Sequence, residues 1–421
     1  MLRSLTFSAT VVGIVTLTVG CGISGSPMPA TPDVKVAGLD FGSYQPGKRV
    51  IPESEGTPEL RRLREAQRMA GYVPDPVEVD PEIVHKENES VGVLRDGKSL
   101  VYSESGGIGA EELTGLAAVA EKTHFVTGFE STRRSGTGDS QRSLSNALLR
   151  FPDAAAASQA AAEMEKQVLD WNNNPKYTSV TGGRAIEFPI AEYPGAHAFL
   201  FEGGEGKSHY EMLSSWYAVD SMVIHNVTVV PGDDPGVAST LIAKAIAAQV
   251  ELLKEFTPTP VEKFSELPVD KDGMLARSLS FVSGQEVSTS QQAYYSPRGI
   301  LHLAGDGRSY QRMIRDAGVD LAAVNNSILF RTRDREAAWR MQADWVRNHR
   351  AGYTNFNADY SEPDIQCVEK KSDDSGFGAK KEDRFSCAVA YGRYMAEVSS
   401  DQQIDINQKA NAQLALLVEN Q

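Results

Sequence analysis

Apolar residues recur at alternating steps of three and four along Ala154, Ala157, Ala161, Met164, Val168 and Trp171, which sets them on one stripe of a helix. The stripe follows Leu148-Leu-Arg-Phe-Pro-Asp-Ala-Ala-Ala-Ala157, a short strand with an Asp at the helix start. The same order returns at a constant offset in Leu329-Phe-Arg-Thr-Arg-Asp-Arg-Glu-Ala-Ala338, where Ala338, Met341 and Trp345 begin a second stripe. Strands follow in both copies, each set folded about a short turn. Trp216–Val229 turns at Asp220-Ser221, and Cys387–Ser400 turns at Gly392-Arg393. Each copy then closes on an apolar helix, Val237–Leu253 and Ile406–Val418. Strand, helix, antiparallel strands and helix, given twice, predict an α+β fold of two related domains.

A breaker-rich stretch from Thr257 through Gly273 separates the copies. The expected organisation is a leader over 1–20, a tether over 21–38, an N-terminal domain over 39–256, a linker over 257–273 and a C-terminal domain over 274–421. Before the first copy, Thr57 caps a helix that runs to Ala70 with Leu60, Leu63 and Ala66 on its apolar side. Glu78, Asp80 and Glu82 alternate with Val77, Val79 and Pro81, the period of a solvent-facing strand edge.

The apolar run Leu5–Gly20 behind Arg3 is short and Thr-rich for a membrane span, and it ends in Val19-Gly20-Cys21. That is the layout of a lipoprotein leader, with Cys21 acylated (a palmitate-type anchor) as the first residue of the mature chain. The position three before the cysteine is Thr18, where an aliphatic residue is usual. Export and tethering at the outer face of the cell membrane are therefore expected.

Cysteine usage points the same way. With Cys21 assigned to lipid, Cys367 and Cys387 remain, an even pair suited to a disulfide in an oxidising compartment. It would clamp the charged, Gly-containing segment Lys370–Asp383. Formal charge is −14. An acidic surface argues against nucleic acid and against electrostatic adhesion to an anionic bilayer, so membrane contact would rest on acyl chains.

Candidate chemistry is sparse. No Gly-x-Ser-x-Gly elbow occurs, and Ser105-Gly-Gly-Ile-Gly109 lacks nucleotide-binding spacing, so it reads as a connecting loop. None of His85, His124, His197, His209, His225, His302 and His349 forms a zinc-type pair; His197, His209 and His225 fall on neighbouring strands and would need to share a face to converge. Asp270-Lys-Asp-Gly273 lacks the further ligands of a calcium loop and reads as a turn. No catalytic residue, metal or cofactor is assigned. Tyr210, Trp216, Tyr217, Tyr391 and Tyr394 are the candidates for lining a groove between sheet and helix, against core packing as the plainer role.

Leu39-Asp-Phe-Gly-Ser-Tyr44, Glu65-Ala-Gln-Arg-Met-Ala70, Val77-Glu-Val-Asp80 and Asp270–Leu279 resemble a family of uncharacterised exported lipoproteins of mycolic-acid-bearing actinobacteria. The likeness spans nearly the whole mature chain and implies a location and a two-part α+β build, with no reaction. The helix entry Phe151–Ala157 resembles helices of extracytoplasmic sensor-type domains. The expected function is a non-enzymatic binding or interaction module of the cell envelope, with a lipid, glycan or protein ligand. An envelope hydrolase without a recognisable motif, or a structural envelope component, is the alternative.

Overall fold

The computed structural model describes residues 36–100, 114–136, 141–174, 185–203, 209–232, 234–282, 284, 287–288, 290–305, 307–349, 352–356, 364–371 and 383–420. Cys21 and the Ser105–Gly109 run lie outside them, as does most of the segment between the two later cysteines.

Helix α1 (Pro58–Met69) starts as expected: Thr57 Oγ1 accepts the Leu60 N–H at 3.1 Å, and Pro58 sits where no helix N–H bond is needed. The acidic alternation after it is not a strand edge. Asp75 accepts the Val77 N–H at 3.1 Å and Glu78 accepts the Asp75 N–H at 3.0 Å, a capping box that opens the short helix α2 (Pro76–Val79). Reciprocal capping with Pro76 in the first turn outweighs the period-two pattern.

The first sheet is built from β1 (His85–Leu94), β2 (Thr127–Arg134), β3 (Ser143–Arg150), β4 (Ala185–Glu187), β5 (His197–Gly203), β6 (Tyr210–Val219) and β7 (Met222–Pro231). Helices α3 (Thr114–Lys122), α4 (Ala154–Asn172) and α5 (Pro235–Leu253) accompany it. Its spatial order is β1-β2-β3-β7-β6-β5-β4, with every neighbour antiparallel.

The second sheet comprises β8 (Ala293–Tyr295), β9 (Leu321–Val324), β10 (Ile328–Arg331), β11 (Tyr353–Phe356), β12 (Ile365–Lys370), β13 (Phe385–Tyr391) and β14 (Tyr394–Ser400). Helices α6 (Pro297–Leu301), α7 (Gly307–Ala317), α8 (Arg335–His349) and α9 (Gln403–Glu419) complete this half. Read from its β8 edge, the order is β8-β9-β10-β14-β13-β12-β11, again antiparallel throughout. Strand for strand, this is the first sheet's topology. Three strands stand where the pattern suggested one before α4 and α8, and both hairpin turns fall at the expected residues, with Asp220 at φ 49° and Gly392 at φ 55°.

Cys367 and Cys387 are bonded, directly opposite each other on β12 and β13 with Cα atoms 4.1 Å apart. The bridge staples adjacent strands.

The halves share one apolar core. It runs from Met69 and Val73 through Phe129, Leu148 and Ile224 to Tyr295, Phe330, Trp345 and Met395. Into that shared core the chain sinks charge. Arg133 on β2 is fully buried, and all five of its N–H donors are used: on Asp75 at 2.6 and 2.9 Å, on the carbonyls of Val84 (3.0 Å) and Ala304 (3.1 Å), and on that of Leu301 (2.8 Å). Two of those carbonyls belong to the second half. Glu65 on α1 accepts from Arg150 (2.7 Å), Arg68 (2.9 Å) and the Thr259 N–H (3.0 Å), which docks the stretch after α5 onto α1. Arg64 reaches the carbonyls of Val269 and Gln292, both at 2.7 Å. Residues 257–273 are thus pinned along their length.

Removing one partner of a buried, hydrogen-bonded ion pair leaves the other charge uncompensated, at a cost of about 3–5 kcal/mol. Asp75→Ala is expected to lose stability of that order in urea denaturation, with both halves shifting together. A second-half transition left in place while the first half moves would contradict the shared core.

Candidate functional site

A pocket of about 370 Å³ opens on the α8 side of the second sheet, bordered by Glu397, Trp345, His349, Asn325, Ser386 and Lys409. Its position follows from strand parity. Met395, Glu397 and Ser399 alternate onto one face of β14, and Ser386 lies across from Ser399. Helix α8 lies against that face and carries Trp345 and His349 one turn apart.

Glu397 is the chemically distinctive group. Tyr310 of α7 donates to its Oε2 at 2.6 Å, while Oε1 is buried with no aligned partner. Burial pushes this carboxyl up to about 7, against weaker opposing contributions from the Tyr310 and Trp345 donors. Near neutral pH it therefore divides between acid and carboxylate, able to donate or accept. The Tyr310 phenol is pushed well up, by burial first and by the adjacent carboxyl second. His349 is held neutral by burial, and its Nδ1 lies 2.8 Å from the Trp345 carbonyl. A carbonyl accepts only, so Nδ1 carries the proton and Nε2 is left as an acceptor. Its ring packs edge-on to Tyr353 at 4.9 Å.

A second constellation has the residue types of a hydrolase. His302 Nδ1 lies 2.7 Å from Ser131 Oγ and 3.8 Å from Asp75 Oδ2. All three side chains are buried, however, and Nε2 is committed to the Ala70 carbonyl at 2.9 Å. The Ala70 carbonyl takes the Nε2 proton, so Nδ1 accepts from the Ser131 hydroxyl, but the acid sits on that same side instead of orienting the far nitrogen, and burial keeps substrate from the serine. This cluster joins the halves.

The five groove candidates are distributed over different surfaces. Trp216 is buried in the core beneath α4, stacked on His225 with ring centroids 3.6 Å apart, while Tyr217 points to the opposite face and meets Tyr193. Tyr210 packs near Phe201. Tyr391 and Tyr394 flank the β13–β14 turn, and Arg277 covers the Tyr394 ring. His225 is buried and bonded to Ser215, and no group of three or more metal-binding side chains occurs among the described residues. Asp270 caps the Leu275 and Ala276 N–H groups, as a turn residue does.

With the two duplicated halves and the pocket in place, comparison with known proteins gives a family. Residues 52–269 match "Domain of unknown function (DUF7373) N-terminal", and residues 274–420 match its C-terminal counterpart. The chain belongs to the DUF7373 family. No curated protein matches it. Among solved structures, the extracellular domain of PknH from Mycobacterium tuberculosis aligns over 49% of this chain and 100% of that one, with 11% identity and a TM-score of 0.28. In this DUF7373 chain the junction cluster draws on both parts of the family description, whereas the Glu397 pocket is made wholly by the C-terminal part.

The Glu397 shift fixes a sign. Its folded pKa lies above the ordinary 4.5, so the folded state holds a proton that the unfolded state releases. Stability contributed by the protonated form is complete below about pH 4.5 and is lost as pH rises through about 7, a swing of roughly 3 kcal/mol. Glu397→Gln is expected to flatten that part of the pH–stability curve, read by urea midpoints. An unchanged slope in the variant would contradict the assignment.

Proposed function

We propose that this DUF7373 chain is an extracytoplasmic, lipid-anchored and non-enzymatic binding module of the cell envelope, taking its ligand in the Glu397 pocket. The observation that carries the reading is the pocket itself, a concavity with convergent polar side chains held on a packed sheet and helix. The Cys367–Cys387 bridge supports an oxidising location, since such bonds persist in exported proteins and are rare where thiols are kept reduced. The leader ending at Cys21 supplies the anchor, and no basic patch is required for attachment.

A hydrolytic reading comes second and draws on one observation: a carboxyl titrating near 7 suits general acid–base work. The binding reading is preferred because the Ser131–His302–Asp75 group is sealed.

Native mass spectrometry of the chain extracted gently from its own membranes tests the proposal. The expected species carries acyl mass on Cys21, shows no thiol alkylation at Cys367 or Cys387 before reduction, and retains a small-molecule adduct. Unmodified Cys21 with free thiols at both later cysteines would overturn the location. Steady consumption of the adduct in place of retention would favour the hydrolase.

A further inference from the structure

The two sheets share one topology, and the register pair that holds Glu397 differs between them. Counting from each hairpin turn, the pairs run Val219↔Met222, Ala218↔Val223, Tyr217↔Ile224 and Trp216↔His225 in the first sheet. In the second they run Tyr391↔Tyr394, Ala390↔Met395, Val389↔Ala396 and Ala388↔Glu397. The third strand of each sheet agrees: Ala147 lies beside His225, and Ile328 beside Glu397.

Equivalent places thus hold an indole in one half and a methyl group in the other. In the first half Trp216 lies nearly flat on His225, 14° between planes, and fills the space under α4. In the second half Ala388 is fully buried in one apolar cluster with Trp345 of α8, and its methyl group cannot cover Glu397 as the indole covers His225. The pocket opens beside Glu397, with Ser386 as its border on β13.

The lining states what would fit. Asn325 Oδ1 is a buried acceptor without a partner, and Glu397 Oε1 has at most the poorly aligned Trp345 donor. His349 offers Nε2, and Ser386 a hydroxyl. Asp383 and Lys409 also border the pocket with opposite charges, and Lys409 pairs with Asp405 at 3.3 Å. An acyl chain would strand these acceptors away from water. An anion would meet Asp383 and the carboxyl. Alcohol hydroxyls, which both donate and accept, satisfy them. The volume is at the small end of ligand pockets, roughly 300–1000 Å³, and accommodates a ring rather than a chain.

We infer that the second half binds a neutral polyhydroxylated ring, a sugar unit such as an envelope glycan presents, in the pocket beside Glu397, whose first-half counterpart His225 is covered by Trp216. This rests on the Glu397 pocket being a ligand site.

Saturation-transfer NMR on the full mature chain tests it, with glucose, galactose, mannose and arabinose as probes, and decanoate and inorganic phosphate as counter-probes. At least one sugar is expected to receive saturation, and Ala388→Trp, which copies the first half, is expected to weaken that signal at least about tenfold. Ser386→Met, at a half-buried wall position, serves if the Trp variant does not fold. Transfer to decanoate or phosphate, lost in the same variants, with none to any sugar, would overturn the ligand class and leave the pocket reading standing. Transfer to no probe, or sugar transfer indifferent to both variants, would overturn the inference; the former would also remove the pocket as a ligand site.

Discussion

The guanidinium of Arg133 is the constraint on which this molecule turns. An arginine cannot shed its charge inside a protein, so burying one demands a counter-charge and an acceptor for each N–H. Asp75 supplies the charge, and the remaining acceptors are backbone carbonyls at Val84, Leu301 and Ala304. Such carbonyls are in place only when α2, β2 and the end of α6 are all docked. Attraction in this buried setting adds modestly to net stability, yet partial docking is heavily penalised because it leaves a charge stranded. The two halves are thereby committed to one arrangement. His302 extends the same logic: kept neutral by burial, it ties Ser131 to the Ala70 carbonyl across the junction.

The repetition of one topology explains the rest economically. One topology serves twice, and the copies are free to differ where they do not support the junction. The first copy packs aromatic bulk beneath α4. The second places a carboxyl on the corresponding strand position, backs it with Tyr310 and Trp345, and staples two strands beside it through Cys367 and Cys387. A pocket on a rigid sheet needs little ordering when it meets a ligand, and that preorganisation suits recognition.

What the chain disclosed in advance was its local grammar. Thr57, the hairpin turns at Asp220 and Gly392, and the closing helices each depend on neighbours in sequence, and all stand where the pattern set them. The stretch after Asp75 misled because period-two alternation and a capping box coexist there, and the cap prevailed. The junction was illegible: Asp75, Arg133 and His302 come from distant segments and carry no spacing that joins them. Glu397 left a faint signal, an acid sharing strand parity with Met395 on an inward face. Its pocket is walled by Trp345 and His349 of α8 and by the turn at Asn325, which are remote from it in sequence and share no spacing with it. The aromatic candidates drew attention to hairpins that do differ between the copies, though Trp216 marks the filled copy.

One cooperative body joined through a buried charge junction makes a definite demand on native-state hydrogen exchange of the full mature chain. Amides of Phe129–Arg133 on β2 and of Ala388–Ala390 on β13 are predicted to open with the same free energy and the same denaturant dependence. Opening of the β13 amides at markedly lower free energy, while β2 stays protected, would show two separately folding domains and contradict the account.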